Sequence, residues 1–195
     1  MTQYNQLTWS GDSALPRLLS KSVEWYTPTL YIKAAREVMN GIIELDPASC
    51  EIANRVVQAS RYYDIKINGL LQPWKARSLW LNPPYGRGDG NRSNQEIWTC
   101  KLIAEYEAGN VEEAILLVNA ATDTGWFQRL WRYSICFVKQ RIDFYTSEGS
   151  LGGPTHGSVF VYFGPRTERF SEVFSQFGHV IPGEPTAPGL SLWEA

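Results

Sequence analysis

The sequence predicts an α/β fold built around a mostly parallel sheet that ends in a C-terminal antiparallel hairpin. Apolar segments of strand length alternate with segments whose apolar residues recur at helical spacing, the pattern of a sheet covered on both faces. The last two predicted strands, 135–145 and 158–164, are joined by a glycine-rich loop that leaves no room for a helix. We therefore expect that final pair to be antiparallel.

Each predicted element has a recognisable beginning and end in the sequence. Four segments place their apolar residues on one helical stripe, and they are residues 29–39, 50–60, 95–108 and 124–133. Four apolar segments precede the final pair as strands, and they are residues 41–46, 61–67, 78–82 and 112–119. Prolines end the first and third of these strands, and Gly109-Asn110 stops the third helix.

The composition fits one globular domain. The chain has 195 residues, 44% of them hydrophobic, and a formal net charge of only -2, so an intrinsically disordered chain is excluded. We divide it into an N-terminal arm (1–22), a central core (23–164) and a surface tail rich in proline and glycine (180–195).

Several classes of partner are disfavoured. The sequence lacks an apolar stretch of membrane-spanning length and an apolar signal-peptide core, which predicts a cytoplasmic protein without a membrane partner. Its three cysteines are widely spaced, which argues against a disulfide framework or a cysteine zinc site, so we expect no metal. A pI near 5.7 restricts any contact with nucleic acid to a local basic patch. We expect a monomer or a weak dimer.

The segment Asn82-Pro83-Pro84-Tyr85 carries the strongest chemical signal. It directly follows a buried strand, and ligands of α/β sheets bind at the carboxyl ends of strands. Two prolines form a stiff turn without N–H donors and hold the preceding residue extended. The Asn82 oxygen and the Pro83 carbonyl could then accept both hydrogens of a planar amine and help it attack a methyl donor. Tyr85 offers a flat face for the ring that carries the amine. The alternative is an ordinary strand-end turn with Tyr85 in the core.

This tetrapeptide resembles the catalytic motif of amino-methyltransferases that use S-adenosylmethionine. An ordered set of further segments resembles the phage and prophage DNA N-6-adenine methyltransferases in particular. The set comprises Trp25-Tyr26-Thr27-Pro28, Leu45-Asp46-Pro47-Ala48-Ser49, Asn68-Gly69-Leu70 with Trp74, Asn82-Pro83-Pro84-Tyr85-Gly86, Thr122-Asp123-Thr124-Gly125-Trp126-Phe127 and Arg141-Ile142-Asp143-Phe144. The resemblance implies a Rossmann-like methyltransferase fold, a phage- or prophage-encoded enzyme of the bacterial cytoplasm, and transfer of a methyl group to N6 of a flipped adenine in double-stranded DNA.

The resemblance also implies a set of residues that bind the cofactor, S-adenosylmethionine. They are Thr27, Pro28, Asp46, Pro47, Ser49, Asp64 and Asn68. An acid at the end of the first strand suits the cofactor's ammonium or ribose groups, and we expect Ser49 to cap the next helix. The alternative for Asp46, Asp64 and Asn68 is a local turn. Many methyltransferases have a glycine-rich turn here, whereas this chain has Ala48-Ser49-Cys50.

Candidate DNA-binding residues flank the catalytic turn. Arg87 begins a polar, glycine-rich loop directly after Tyr85, and Arg141 belongs to a possible basic patch with Arg129, Arg132 and Lys139. Phe144 resembles an aromatic residue that packs near the flipped base in related enzymes. For each arginine the alternative is a solvated surface charge, and for Phe144 it is plain core.

Two other functions remain open at this stage. A similar tetrapeptide serves enzymes that methylate a glutamine side chain or an amine on RNA. A non-catalytic methyltransferase-like binder of DNA or of a partner protein is the other alternative.

Overall fold

The computed structural model describes residues 26–145, 151–152 and 156–183. The predicted N-terminal arm and residues 184–195 of the predicted tail lie outside the described residues. No helix in the described part of the chain is long and apolar enough to cross a membrane.

Five α-helices are described, and the four predicted ones are among them. They are α1 (Thr29–Val38), α2 (Glu51–Val57), α3 (Asn94–Glu107), α4 (Gly125–Gln128) and α5 (Thr167–Phe174). The predicted helix 124–133 divides into α4 and a 3-10 turn, Arg129–Arg132, which packs Leu130 into the core. The sequence analysis missed α5, whose buried Phe170, Val173 and Phe174 cover the sheet.

Nine β-strands are described. They are β1 (Leu45–Asp46), β2 (Arg61–Tyr62), β3 (Ala76–Leu81), β4 (Val111–Asn119), β5 (Ser134–Val138), β6 (Phe144–Tyr145), β7 (Leu151–Gly152), β8 (Ser158–Phe163) and β9 (Gly178–Ile181). The predicted strand 135–145 is two strands, β5 and β6, which belong to different sheets. The last strand, β9, includes the first two residues assigned to the tail.

The main sheet is mixed, so the prediction of a mostly parallel sheet is wrong. Its strand order is β2-β1-β3-β4-β8-β5-β9, in which β1 pairs parallel with β2 and β3, and β3 pairs parallel with β4. The other three pairings are antiparallel. The predicted antiparallel pairing of the two late strands is confirmed, with Ile135 opposite Val161. The position of these two strands in the sheet differs from the prediction. Strand β8 lies between β4 and β5 and pairs antiparallel with both.

Helices cover both faces of this sheet. Alternate side chains of the strands point to opposite faces, so Trp80 and Leu117 pack with α1 and α5. Their neighbours Leu81 and Leu116 pack on the other face with α3 and α4. Each fully buried large apolar side chain contributes about 1.5–3 kcal/mol through the hydrophobic effect, and both faces supply many. The two layers hold the carboxyl ends of β1, β3 and β4 at one edge, which is where the polar residues of interest lie.

Candidate functional site

The Asn82-Pro83-Pro84-Tyr85 turn follows β3 and is tied to the start of α1. The Asn82 side-chain nitrogen donates a hydrogen bond to Thr27 Oγ1 at 3.2 Å, across 55 residues of sequence. Thr27 is only 6% exposed, so this contact is shielded from water. Since the amide nitrogen points to Thr27, the amide oxygen points the other way, as an acceptor.

The prolines and Tyr85 complete the turn. Pro83 is buried and Pro84 is exposed, and neither has an N–H to donate. The Tyr85 ring meets the fully buried Phe144 ring nearly edge-on, with centroids 6.3 Å apart and planes at 77°. The Tyr85 hydroxyl is buried without a hydrogen-bond partner among the described residues, and burial raises the pKa of this phenol. The structure therefore brings together two aromatic residues that lie far apart in the sequence.

A second clamp fixes the far end of the turn, and it was missed in the sequence analysis. Asn94, the first residue of α3, donates its side-chain N–H to the Tyr85 carbonyl at 3.2 Å and its backbone N–H to the Gly86 carbonyl at 3.0 Å. The signal was present in the polar run Ser93-Asn94-Gln95 just before an apolar helical stripe. These two hydrogen bonds from Asn94 thus anchor the end of the turn to the start of α3.

A short backbone pairing closes the same edge of the site. Tyr26 and Tyr145 exchange two backbone hydrogen bonds, of 2.8 and 3.1 Å. This pairing holds β6, and with it Phe144, against the segment that carries Thr27. The Cys50 thiol contacts the Tyr26 hydroxyl at 3.7 Å, so the residue before α2 joins the same cluster.

Asp46 ends β1 and is a buried acid, 2% exposed. Its Oδ1 accepts a hydrogen bond from the Ala48 backbone N–H at 3.2 Å. Burial raises the pKa of Asp46 to about 7, although the Ser49 side chain and the Ala48 N–H favour the ionised form. No cationic side chain among the described residues forms an ion pair with it. The site therefore holds a carboxyl group that lacks an opposite charge.

The turn after Asp46 differs from the expectation in one respect. Cys50, not Ser49, caps α2, since the Cys50 thiol accepts the Ala53 backbone N–H at 3.4 Å. Ser49 lies one residue before the cap, and its backbone N–H donates to the Tyr63 carbonyl. Pro47 is buried, and its carbonyl packs directly against Gly69.

Asp64 and Asn68 lie beyond β2, where their side chains support local turns. Asp64 Oδ1 accepts the backbone N–H groups of Lys66 and Ile67, both at 3.0 Å. Asn68 adopts a left-handed conformation, with φ of 54°, and its side-chain oxygen caps a 3-10 turn through the Leu70 N–H. The turn role weighed for both residues is therefore observed.

The four residues of the predicted basic patch differ in their contacts. Arg132 forms an ion pair with Glu107 at 3.0 Å. Arg129 contacts the Cys100 thiol and lines a groove with Arg87, whose guanidinium donates to the Asn91 carbonyl at 2.8 Å. Lys139 and Arg141 are exposed between β5 and β6. The predicted basic patch stays a prediction, in which Arg132 already has a carboxylate partner.

The end of β4 contributes buried polar groups that the sequence analysis did not single out. Gln95 Oε1 accepts the Asn119 backbone N–H at 3.1 Å, and Gln95 is buried.

Among the described residues, no group of three or more His, Cys, Asp or Glu side chains is placed to hold a metal ion.

Fold and site together define an α/β protein with a cluster of polar and aromatic side chains at the carboxyl edge of its parallel strands. A family model described as DNA N-6-adenine-methyltransferase (Dam) matches residues 18–175. The chain belongs to this family.

Two curated relatives carry the same description. The DNA N-6-adenine-methyltransferase of Escherichia phage T1 is 35% identical over 104 residues, which cover 53% of this chain and 38% of that protein. The DNA N-6-adenine-methyltransferase of Haemophilus phage HP1 (strain HP1c1) is 25% identical over 127 residues, which cover 64% of this chain and 67% of that protein. The chain thus matches well under half the length of the phage T1 protein. No solved structure matches the chain significantly.

Proposed function

We propose that the chain transfers a methyl group from S-adenosylmethionine to the N6 amine of adenine in double-stranded DNA. The observation that carries the proposal is the pair of acceptors at the end of β3, the Asn82 amide oriented by Thr27 and the Pro83 carbonyl. Membership of the DNA N-6-adenine-methyltransferase family favours DNA over the protein or RNA substrates that the tetrapeptide alone leaves open.

The buried carboxyl group of Asp46 supports a cationic cofactor. S-adenosylmethionine carries a sulfonium and an ammonium group, either of which would supply the missing opposite charge. The residues proposed to hold it are Thr27, Pro28, Asp46, Pro47 and Ser49, and Asp64 and Asn68 are proposed to contact the ribose and the adenine. The bound cofactor supplies an electrophilic methyl group. The parallel arrangement of β1, β2, β3 and β4 supports the proposed Rossmann-like methyltransferase fold.

Asn82 and Pro83 activate the amine in this proposal. The adenine N6 group donates one hydrogen to the Asn82 side-chain oxygen and the other to the Pro83 carbonyl. Two preorganised acceptors stabilise the positive charge that develops on the nitrogen as it is methylated. No general base is required, because the proton leaves after transfer while the acceptors hold the amine.

The aromatic pair receives the base. An adenine stacked in a duplex cannot reach a buried site, so the target nucleotide flips out of the helix. Tyr85 supplies the flat surface against which the adenine ring stacks, and Phe144 supports that ring from its edge. Arg87 and Arg141, which are exposed, contact the DNA phosphates.

Transfer of labelled methyl groups to duplex DNA, followed by digestion to nucleosides, tests the proposal. Wild-type chain should label N6-methyladenine, and Asn82→Ala should lower the turnover rate about 100-fold or more while cofactor affinity, measured by calorimetry, changes little. Thr27→Ser, which keeps the hydroxyl that orients Asn82, serves as the matched control and should retain most activity.

Two outcomes would contradict this mechanism. Label recovered on cytosine would exclude N6 of adenine as the acceptor, and full activity in Asn82→Ala would remove the acceptor pair. Labelling of RNA or protein in preference to DNA would replace the substrate class.

A further inference from the structure

We infer that a groove beside the catalytic turn binds the sugar-phosphate backbone of duplex DNA flanking the target adenine. This inference rests on the proposed function and adds a place for the DNA to it. The groove lies between the loop of residues 86–93 with the start of α3 on one side and the start of α4 on the other. Its lining residue Arg87 follows Tyr85 by two positions, so DNA bound in the groove would lie next to the catalytic turn.

The loop that forms one wall is held in shape by its own backbone. Arg87 and Ser93 form an isolated antiparallel bridge, and the Gly88 N–H donates to the Arg92 carbonyl at 2.8 Å. Arg87 also donates to Asn91, within the same loop. The wall is therefore a closed loop that presents its arginines from a defined position.

The groove is basic in a chain that is acidic overall. Arg87, Arg92 and Arg129 line it, and the one acidic side chain among its described lining residues, Glu96, pairs with Arg92 at 3.0 Å. These lining residues carry two more positive than negative charges, whereas the whole chain has a formal net charge of -2. A concentration of guanidinium groups on opposite walls is suited to phosphates, because each can donate two parallel hydrogen bonds.

Several other arginines of the described chain are paired with carboxylates, whereas Arg36, Arg61 and Arg141, like the two groove arginines, form no ion pair among the described residues. Ion pairs of 3.0 Å or less join Arg55 to Glu51, Arg77 to Glu44, Arg132 to Glu107 and Arg169 to Glu37. Arg87 and Arg129 form no ion pair within the described residues. They donate instead to a carbonyl and a thiol, which are neutral partners.

Size and chemistry favour a phosphodiester backbone over a single base. The volume of the groove is about 640 Å³, and the groove is open to solvent. Its aromatic residue, Trp126, is only 9% exposed, so it offers little surface for stacking. The hydroxyl group of Ser93 adds a neutral donor for a phosphate oxygen.

Binding of a duplex DNA fragment at several salt concentrations tests the groove. Arg129→Ala should weaken binding about fivefold or more and reduce the salt slope by about one, as expected when one phosphate contact is lost. The matched control is Arg132→Ala in the same 3-10 turn, where Glu107 already neutralises the charge. Unchanged affinity and slope in Arg129→Ala would overturn the inference, as would equal losses in both variants.

Chemical footprinting gives an independent readout. Cys100 lines the groove, Cys50 lies at the proposed cofactor site, and Cys136 is buried with its pKa raised to about 12 by that burial. Duplex DNA should slow alkylation of Cys100 while leaving Cys50 unchanged. Inorganic phosphate giving the same protection would mean a simple anion site, and no protection by DNA would exclude the groove as its path.

These results separate the groove from the reaction. Methylation of DNA that is unaffected in Arg129→Ala retains the proposed function and rejects the groove. If DNA binding depends on Arg129 but the wild-type chain methylates no DNA, the groove is supported and the proposed reaction is rejected.

Discussion

The Tyr85 side chain separates the role of a ring from that of a hydroxyl at the residue scale. Its hydroxyl is buried without a hydrogen-bond partner in the described part of the chain. Tyr85→Phe therefore removes a desolvated polar group that makes no compensating hydrogen bond. We expect this variant to keep its activity and to unfold at an equal or slightly higher temperature.

Tyr85→Ala should instead raise the KM for DNA, because the flipped base loses its stacking surface. Steady-state kinetics of the two variants, with circular dichroism melts, check both expectations. Equal losses in Tyr85→Phe and Tyr85→Ala would mean that the hydroxyl, and not the ring, holds the substrate.

Asp46 makes stability depend on pH in a direction opposite to that of a salt-bridged acid. Its folded-state pKa of about 7 exceeds its ordinary value of 3.8, so the folded chain binds more protons between those values. The free energy of unfolding should therefore fall as pH rises from about 4 to about 7, at a limiting rate of about 1.4 kcal/mol per pH unit. Urea denaturation of the cofactor-free chain at pH 5 and pH 7.5 measures the loss.

Asp46→Asn is the matched control, since it keeps the shape and removes the titration. It should be nearly insensitive over the same pH interval, and a parallel loss in both proteins would assign the pH dependence to another group. Cofactor affinity of the wild type should rise between pH 5 and pH 7.5, because the cation prefers ionised Asp46. Asp46→Ala should weaken cofactor binding markedly without unfolding the chain, and an unchanged affinity would remove Asp46 from the site.

At the scale of elements, the turn after β1 packs against the 3-10 turn that follows β2, where Gly69 meets the Pro47 carbonyl. A Cβ atom on Gly69 would lie 2.0 Å from the Pro47 carbonyl oxygen and 3.1 Å from the Trp98 ring. Gly69→Ala must therefore displace the turn that carries Asp46, and we expect a loss of about 2 kcal/mol or more in the free energy of unfolding, with weaker cofactor binding.

Gly125→Ala provides the comparison, because a Cβ there meets no described atom within 4 Å and alanine favours a helix. Urea denaturation should show this second variant to be as stable as the wild type or more so. Similar destabilisation of both would mean that backbone freedom, rather than crowding, explains the need for Gly69.

Local elements could be predicted from the sequence, whereas their assembly could not. Periodicity located α1 and α3 within one or two residues, and the prolines after Leu81 fixed the end of β3. The position of β8 between β4 and β5 depends on packing between distant strands, which no local pattern records.

The candidate site shows the same limit. Its side chains after β1 and β3 follow from the rule that ligands bind at the carboxyl ends of strands. The hydrogen bond from Asn82 to Thr27 and the meeting of Tyr85 with Phe144 depend on tertiary structure, since each joins residues more than 50 positions apart. Asn94 was overlooked because a polar residue at a helix start is usually explained as a helix signal.

The charge of the whole molecule predicts how DNA binding responds to salt. A chain with a net charge of -2 and a local groove should make few phosphate contacts, so the slope of log K against log salt should correspond to about three to five of them. Fluorescence anisotropy between low and physiological salt measures it. A slope that requires eight or more phosphate contacts would contradict a local binding surface.

The pairing of Tyr26 with Tyr145 has a consequence for synthesis on the ribosome. A nascent chain that has emerged only as far as β4 contains Asp46, Asn82 and Tyr85, but it lacks Tyr145 to close the edge and Phe144 to support the Tyr85 ring. The turn 82–85 is therefore synthesised before the residues that pack around it. Under the proposed function, competence to methylate DNA therefore arises late in translation, when β6 and β8 have left the exit tunnel, and a prematurely terminated product should be inert.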